Sequence, residues 1–325
     1  GATGHIGNVL ARELVARGQQ VRALVLPGDD LTPLEGVDVE IVEGDILDLD
    51  SLKKAFTGAD TVYHLAAIIS INPGARKLLR RINVEGTENV IKACLEAGVK
   101  RLVYTSSIHA LTPPPRGEVI TEKIRFEPDK LHSYYERTKA EASLKVLEAA
   151  KENGLDAVVV CPTGVIGPYD FKISNMGQFF IDYKSGALKA YMRGEYDFVH
   201  VDDAVAGLIL AAEKGKDGEV YILSGEKVTV KQIMGVLEEL TGRKQPKFRF
   251  PAWLAIAVSP FAYVWYKMLR TKPLFTSYSV RTLTTNCDVS HAKATRELGY
   301  SPKPVKQAII DAVKWFEQAG YMKKS

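Results

Sequence analysis

Apolar residues follow two periods that alternate through the first half of the chain. Short, β-branched and almost continuously apolar runs, typical of strands buried on both faces of a parallel sheet, occur at 20–26, 37–42, 61–65, 101–105 and 157–161. Apolar residues recur at helical spacing in residues 5–17, 84–97 and 134–152. This alternation predicts an α/β fold with a doubly wound parallel sheet.

The regular alternation stops after Pro168, and this change predicts where the domains divide. We expect a first domain of residues 1–168, to which residues 196–223 return as part of the main sheet. The remainder of the chain is irregular, and we predict that residues 169–195 and 224–325 form a smaller C-terminal domain.

Composition and charge exclude several classes of protein. Of the 325 residues, 46% are hydrophobic and 25% are charged, which excludes a disordered or fibrous chain. The net charge of +4 is too small to indicate a nucleic-acid partner. The three cysteines are far apart and no two histidines have metal-ligand spacing, so we predict neither a disulfide framework nor a metal site. Unpaired cysteines fit a reducing compartment, and we expect a cytoplasmic protein.

Positive charge is concentrated in residues 240–287, which carry +8 and no acidic residue, so the rest of the chain carries −4. Within this basic stretch, residues 250–266 are uncharged but are interrupted by Pro251 and Pro260, and a membrane-spanning helix needs about 20 apolar residues. We therefore predict a wall of a substrate pocket. An anion-binding lid and peripheral contact with an anionic membrane are the alternatives.

The first seven residues, GATGHIG, have the spacing GxxGxxG, which differs from the GxGxxG of the standard dinucleotide fingerprint. Gly1, Gly4 and Gly7 allow a tight turn and a close approach to a pyrophosphate at the N-terminus of the next helix. A strand is expected before such a turn, and the sequence as given starts at the turn itself. The alternative is a glycine-rich turn that binds no ligand.

Tyr135 and Lys139 are four residues apart, so they share one face of the predicted helix. A nearby ammonium favours the phenolate and lowers the pKa of a tyrosine, as proton transfer in ketone reduction or alcohol oxidation requires. Ser106 and Ser107 follow strand 101–105 at its carboxyl end, where α/β sheets place their chemistry. Each signal alone also fits a solvated helix face or a turn, so the candidate site depends on their combination.

Nine motifs, in order along nearly the whole chain, resemble those of the extended short-chain dehydrogenase/reductase family. The resemblance implies a Rossmann domain with a smaller substrate-binding domain. The seventh motif looks like the PTxVxGP of dihydroflavonol-reductase-like and 3β-hydroxysteroid-dehydrogenase-like members. The motifs are GATGHIG at 1–7, GDILD at 44–48, HLAA at 64–67, NVEGTENV at 83–90, VYTSS at 103–107, YERTK at 135–139, PTGVIGP at 162–168, DFVHVDDA at 197–204 and KATRELGYSPK at 293–303.

The same resemblance implies a role for individual residues. Ser107, with Ser106 as the fallback, would hold the substrate oxygen, and Tyr135 would transfer the proton. Lys139 would hold the nicotinamide ribose and tune Tyr135. The cofactor-binding residues that it implies are Gly1, Thr3, Gly4, His5, Ile6, Gly7, Asp45, Ile46, Leu65, Ala66, Ala67, Asn83, Tyr135, Lys139, Pro162 and Val165.

The function implied is that of an NAD(P)-dependent oxidoreductase that reduces a carbonyl or oxidises a hydroxyl on a fairly apolar small molecule. A sugar-nucleotide epimerase or dehydratase is the second interpretation, but those enzymes usually carry asparagine where Gly164 stands and arginine where Tyr196 stands. A non-catalytic NAD(P)-binding sensor or assembly protein is the third, and the retention of Ser107, Tyr135 and Lys139 argues against it. A homodimer is left open.

The choice between NAD and NADP is not decided by the sequence. NAD enzymes commonly place an aspartate just after the second strand of this fold, and NADP enzymes an arginine. Here that position is apolar, with Val25 and Leu26, while Arg22 lies inside the strand and Asp29 and Asp30 come a few residues later. We therefore expect NAD or NADP as cofactor.

Overall fold

The computed structural model of the chain describes residues 1–70, 73–250, 281, 283 and 285–322. Its strands are β1 Arg22–Val25, β2 Glu40–Glu43, β3 Thr61–His64, β4 Arg101–Thr105, β5 Ala157–Pro162, β6 Gly164–Ile166, β7 Ala190–Met192, β8 Glu195–His200, β9 Val220–Leu223, β10 Glu226–Thr229 and β11 Phe248–Phe250. Its α-helices are α1 His5–Ala16, α2 Leu49–Phe56, α3 Arg76–Arg80, α4 Gly86–Ala97, α5 Tyr134–Asn153, α6 Asn175–Ser185, α7 Val201–Lys214, α8 Val230–Thr241, α9 Ala292–Leu298 and α10 Val305–Gln318.

The main sheet is parallel and confirms the predicted α/β fold class. Its four strands have the order β3-β4-β5-β9, and a second parallel pair joins β1 to β2. All five predicted strands and all three predicted helices are present, with ends that differ by a few residues from the predicted ones. Strands β4 and β5 are almost wholly buried, whereas β2 is mostly exposed.

Helices cover both faces of the four-stranded sheet, and the side chains of β4 and β5 alternate between the two faces. Leu102 and Val159 belong to the apolar core that α2, α4 and α5 complete. Val103 and Val158 belong to the other core, with residues of α1 and α7. All four side chains are fully buried, so the sheet is rigidly held at the strand ends that carry the candidate site.

Residues 196–223, which we expected to return to the main sheet, divide between two sheets. Strand β9 pairs with β5 in the main sheet, but β8 pairs with β6 and β10 in a separate three-stranded sheet. The expectation was therefore wrong for β8, because the short strand β6 follows β5 after one residue and takes β8 as its parallel partner. The domain boundaries themselves stay a prediction.

Most of the basic stretch 240–287, including nearly all of its uncharged run, lies outside the described residues. Its predicted pocket wall, anion-binding lid and membrane contact therefore stay predictions. In the part of the chain that the structure describes, no helix is long and apolar enough to cross a membrane.

Candidate active site

The glycine turn packs against the loop that follows β3. A Cβ atom on Gly1 would lie 2.6 Å from the carbonyl carbon of Leu65 and 2.7 Å from the nitrogen of Ala66, so only glycine fits there. A Cβ atom on Gly7 would lie 2.0 Å from the carbonyl oxygen of Gly1. Backbone contacts therefore bring the turn, the start of α1 and the Leu65–Ala67 loop together, as the predicted cofactor site requires.

Gly4 differs from the other two glycines because an added Cβ would meet a single atom, at a tight distance but without the overlap found at Gly1 and Gly7. It is the N-cap of α1, with an extended backbone (φ −77°, ψ 169°) that any residue adopts. The nearest atom to an added Cβ is the carbonyl oxygen of Gly1, at 3.2 Å. Since no side chain caps α1, the N–H groups of its first turn are available to an anion. This cradle fits the pyrophosphate of a dinucleotide.

Asp45 and Ile46 follow β2 at the carboxyl edge of the parallel strands, where the prediction places the adenine. The carboxylate of Asp45 accepts a hydrogen bond from the backbone N–H of Leu47 at 2.9 Å. The backbone carbonyl oxygen of Ile46 accepts a hydrogen bond from the side-chain amide of Asn89 at 3.0 Å. The side chain of Ile46 packs so closely against Gly86 that a Cβ atom on Gly86 would clash with it. Both residues are half-buried; Ser51 of α2 binds the backbone of Asp45, and α4 holds Ile46.

Helix α5 begins with a capping box that places Tyr135 in its first turn. The hydroxyl of Ser133 accepts the backbone N–H of Glu136, and the carboxylate of Glu136 accepts the backbone N–H of Ser133. Tyr135 and Lys139 lie on the buried face of the helix, as their spacing predicted. They point toward the carboxyl end of β4.

Of the two serines after β4, Ser107 faces Tyr135. Ser107 lies close enough to Tyr135 to oppose, in part, the rise in the pKa of its phenol, and Ser107 Oγ accepts the backbone N–H of His109 at 3.2 Å. Ser106 instead bonds Ser143 on α5 at 2.7 Å. The geometry thus brings Ser107, and not the fallback Ser106, to the candidate proton donor.

Lys139 is buried, and among the residues that the structure describes no acidic side chain is in direct contact with it. Its ammonium donates a hydrogen bond to the carbonyl oxygen of Thr105 at 2.6 Å and lies 4.4 Å from the centre of the Tyr104 ring. Only 2% of the residue is exposed. Burial lowers the pKa of Lys139 to about 7, because these contacts do not replace the hydration of a full charge.

The expectation that Lys139 lowers the pKa of Tyr135 was wrong for this structure. Burial raises the pKa of Tyr135 to about 12, and the hydrogen bond from Ser107 only partly opposes this shift. Since Lys139 binds Thr105 and has itself a lowered pKa, its charge does not set the ionisation of the phenol. Tyr135 therefore carries its proton near neutral pH, as a proton donor to a carbonyl must.

Asn83 was predicted to bind cofactor, but its side-chain amide makes hydrogen bonds to other groups of the protein. Its amide oxygen accepts the backbone N–H of Ile68, and its amide nitrogen donates to the Ile68 carbonyl and to the hydroxyl of Thr138. It lies in a π-helical segment, Arg81–Glu85, and is 1% exposed. Asn83 thus ties the loop after β3 to α5 and positions the site without reaching the cofactor itself.

The remaining predicted cofactor residues surround the same strand ends. Pro162 ends β5 and Val165 lies in β6, while Ile6 packs into the core shared by α1 and α7. The ring of His5 bonds the carbonyl oxygen of Pro168 at 2.9 Å. His5 therefore fastens the loop after β6, which the sequence did not indicate.

Two pairs of residues near the site were missed by the sequence analysis. The ring of His109 bonds the hydroxyl of Tyr196 at 2.8 Å, and the two rings stack. Asp197 lines the same cavity; its carboxylate accepts the backbone N–H of Gly225 at 3.0 Å, and burial raises its pKa to about 6. Sequence spacing could not have found these contacts, because 87 residues separate His109 from Tyr196.

Comparison with known proteins agrees with this arrangement. The family model described as "NAD dependent epimerase/dehydratase family" matches residues 1–224, which include the glycine turn, Ser107, Tyr135 and Lys139. The chain belongs to this family. The prediction of an NAD(P)-dependent enzyme of the extended short-chain dehydrogenase/reductase type is confirmed.

The chain is similar in sequence to curated proteins that have different names. The chain is 38% identical to "Sterol demethylase protein B" of Methylococcus capsulatus over 325 residues, which are 98% of this chain and 98% of that protein. It is 33% identical to a "Putative dihydroflavonol 4-reductase" of Synechocystis, over 99% of this chain and 95% of that protein. It is also 31% identical to a "3beta-hydroxysteroid-dehydrogenase/decarboxylase" of Arabidopsis thaliana, over 83% of this chain and 65% of that protein.

Solved structures of the family have the same fold. The protein gox2253 superposes with a TM-score of 0.86 at 33% identity, over 99% of this chain and 98% of that one. A dTDP-glucose 4,6-dehydratase from Streptomyces venezuelae, solved with NAD and TYD bound, has a TM-score of 0.80 at 22% identity, over 99% and 97% of the two chains. The second likeness concerns the fold alone.

An added Cβ would lie 3.2 Å from its nearest neighbour at Gly4 but only 2.0 Å at Gly7, and this difference generates a paired prediction. Gly4→Val should leave the fold intact and weaken NADH binding about tenfold or more, because the new side chain lies where the pyrophosphate must approach α1. Gly7→Val should lower the melting temperature, because its Cβ meets the Gly1 carbonyl. Calorimetric titration and thermal unfolding of both variants measure this. Unchanged affinity in a folded Gly4→Val protein would contradict the assignment.

The lowered pKa of Lys139 generates a prediction about stability. Between about pH 7 and pH 10.5 the folded protein binds fewer protons at Lys139 than the unfolded chain, so this residue makes the free energy of unfolding rise with pH. Lys139→Met should remove that part of the rise. Denaturant unfolding from pH 6 to pH 10 measures the slopes, with Lys145→Met on the exposed face of α5 as the control. Equal slopes in all three proteins would show that Lys139 is not desolvated.

Proposed function

We propose that the protein interconverts a secondary alcohol and a ketone on a largely apolar substrate, with NAD(P) as the redox partner and Ser107, Tyr135 and Lys139 at the reacting oxygen. The observation that supports this most is the convergence of three side chains at the carboxyl end of β4. Ser107 follows that strand, and Lys139 on α5 binds the carbonyl of Thr105 there. Tyr135 lies one turn earlier on the same buried face of α5, close enough to Ser107 for the serine to affect the pKa of the phenol. Two hydroxyl groups that lie close together beside the dinucleotide cradle can both hydrogen-bond to one substrate oxygen.

In the proposed mechanism the cofactor, when bound, supplies or accepts the hydride. Ser107 and Tyr135 hold the substrate oxygen between their hydroxyls. Tyr135 donates its proton to that oxygen during reduction and is left as the phenolate; in the reverse direction the phenol must first lose its proton to solvent, and the phenolate then takes the proton of the substrate hydroxyl. The raised pKa of Tyr135 keeps the proton in place until the oxygen gains negative charge.

The direction of the Ser107 hydroxyl is set by its neighbours. Ser107 Oγ accepts the backbone N–H of His109, so its own hydrogen is left to donate toward Tyr135 or a substrate oxygen. Lys139 is held by Thr105 in the present structure. An ammonium at this depth is suited to donate to ribose hydroxyls next to the reacting centre.

The cavity next to the site favours an apolar substrate. It begins at Ile108 and Glu136, which directly follow Ser107 and Tyr135 in the chain. Apolar side chains form much of its wall, and the His109–Tyr196 pair and Asp197 provide polar groups. The relatives named for a sterol demethylase and for 3β-hydroxysteroid dehydrogenases support a fused-ring alcohol as the substrate class.

The contacts of Gly164 argue against the sugar-nucleotide interpretation. A Cβ at this position would lie 2.6 Å from the ring of Phe198 and 2.9 Å from that of Tyr196. The space in which an epimerase would hold an asparagine is thus filled by two aromatic rings. Tyr196 stands where those enzymes carry an arginine, so two groups that hold a nucleotide diphosphate are replaced together.

The proton-transfer role of Tyr135 predicts a loss of turnover in Tyr135→Phe. The ring keeps its packing but lacks the proton, so turnover should fall roughly 10²–10⁴-fold while NADH affinity changes little. Steady-state kinetics and NADH titration measure the two effects. Tyr134→Phe is the matched control, since Tyr134 lies under Arg76 and away from the site. Undiminished turnover in Tyr135→Phe would contradict the role.

A substrate comparison tests the reaction class. With NAD(P) in excess, a 3β-hydroxysteroid should produce NAD(P)H absorbance at 340 nm, and UDP-glucose or UDP-galactose should give neither reduced cofactor nor an epimer. Because apolar side chains such as Ile108, Leu111 and Leu131 form part of the cavity wall, the KM for the steroid should also be the lowest among alcohols of increasing polarity. Epimerisation of the sugar nucleotide without net change in NAD would overturn this proposal in favour of the second interpretation.

A further inference from the structure

Positive charge in the described part of the chain is densest in α3. Arg76, Lys77, Arg80 and Arg81 are four basic residues in a stretch of six, and no other stretch of six residues has more than three. All four are exposed, whereas Leu79 is 1% exposed and fixes the helix to the core. Helical spacing places the four basic side chains on one side of the segment, so their charges act together.

Two large apolar side chains are exposed beside this charge. Leu78, within α3, is 47% exposed, and Ile69, in the loop that leads to α3, is 72% exposed. A single exposed leucine needs no explanation, but apolar and basic side chains exposed together are typical of segments that lie at a membrane interface. The residues that form what we call the α3 surface are Ile69, Arg76, Lys77, Leu78, Arg80 and Arg81.

The protein itself neutralises little of the charge of the α3 surface. Arg80 forms an ion pair with Glu141 at 2.6 Å. Lys77 and Arg81 form no ion pair with any residue that the structure describes. Residues 61–84 include no acidic side chain. The α3 surface is therefore complementary to an anionic partner.

The α3 surface is held beside the end of α5 that borders the substrate cavity. Besides the ion pair of Arg80 with Glu141, the guanidinium of Arg76 lies 6.0 Å from the centre of the Tyr134 ring. Tyr134 begins α5, and Glu136, two residues further on, lines the cavity next to the site. Whatever binds the α3 surface therefore lies close to this cavity.

The loop that carries Ile69 is fixed to the same helical segment. The backbone N–H and carbonyl of Ile68 bond the side-chain amide of Asn83 at 2.9 Å and 3.1 Å. Asn83 follows Arg81 by two residues and is buried. Ile69 is therefore kept close to the helix that carries the four basic residues.

We propose that the α3 surface binds an anionic lipid bilayer at its headgroup region. The basic side chains contact the anionic groups of the lipids, and Ile69 and Leu78 enter the boundary between headgroups and acyl chains. A nucleic acid would leave these two apolar side chains in water, whereas a bilayer buries them. The cavity beside α5 then lies close to the membrane. The inference does not rest on the reaction proposed above.

Co-sedimentation with vesicles tests this without any substrate. At low salt the wild-type protein should bind vesicles of phosphatidylcholine and phosphatidylserine, and it should bind vesicles of phosphatidylcholine alone much more weakly. Raising NaCl to about 0.5 M should weaken the binding, because salt screens exposed charges. Lys77→Ser with Arg81→Ser should weaken it about tenfold or more, since each basic residue near an anionic surface contributes about a factor of five.

Matched controls separate the α3 surface from net charge and from exposed apolar area in general. Lys54→Ser with Lys151→Ser removes the same charge from exposed positions on α2 and α5 and should leave the affinity nearly unchanged. Ile69→Ser with Leu78→Ser should weaken the binding at low and at high salt, because apolar burial is not screened. Ile41→Ser, at a position of β2 that is 40% exposed, should not weaken it.

Three results would overturn the inference. One is a wild-type protein that does not bind the anionic vesicles at low salt. Another is a Lys77→Ser, Arg81→Ser protein, folded by its thermal transition, whose affinity equals that of the Lys54→Ser, Lys151→Ser control. The third is a wild-type dimer in size-exclusion chromatography that Leu78→Ser converts to a monomer, which would show that a second copy covers this surface. None of these measurements involves an alcohol, a ketone or NAD(P), so failure of the proposed reaction would leave them intact.

Discussion

The site depends on one buried contact, the hydrogen bond from the ammonium of Lys139 to the carbonyl of Thr105. It joins α5 to the end of β4, so that Tyr135, one turn earlier, meets Ser107, two residues after Thr105. The contact satisfies one donor of the ammonium but does not replace its hydration, which is why burial lowers the pKa of Lys139. The protein tolerates the buried ammonium of Lys139 because the rigid sheet and helix on either side hold it in place.

Hydrogen bonds made by residues from several parts of the chain hold this contact in place. Asn83 joins the loop after β3 to Thr138, which lies next to Lys139 on α5. The capping box of Ser133 and Glu136 fixes the first turn of the same helix. Ser106, which does not face the substrate side, bonds α5 through Ser143. Several hydrogen bonds thus hold the helix at the depth that the lysine requires, and the polar groups involved are paired within the protein.

The sequence predicted the strands and helices well because burial on both faces leaves a clear pattern, as in β4 and β5. It also predicted that Tyr135 and Lys139 share a face, because helical spacing determines this. Spacing does not report desolvation, so the direction of the pKa shift of Tyr135 was predicted wrongly. The pairing of β8 was missed for a related reason, since the partner of a strand depends on tertiary packing and not on its own pattern.

Contacts between residues far apart in the chain were beyond the reach of the sequence. The Lys172–Asp29 pair spans 143 residues and the His109–Tyr196 pair 87, and neither has a local signature. Gly164 shows how such contacts act together. Removing a side chain there makes room for the ring of Tyr196, and the hydroxyl of Tyr196 then has His109 as a partner instead of a charged ligand. Each change by itself would leave a void or an unpaired polar group, so the three residues form one unit, and two of them, His109 and Tyr196, line the cavity next to the site.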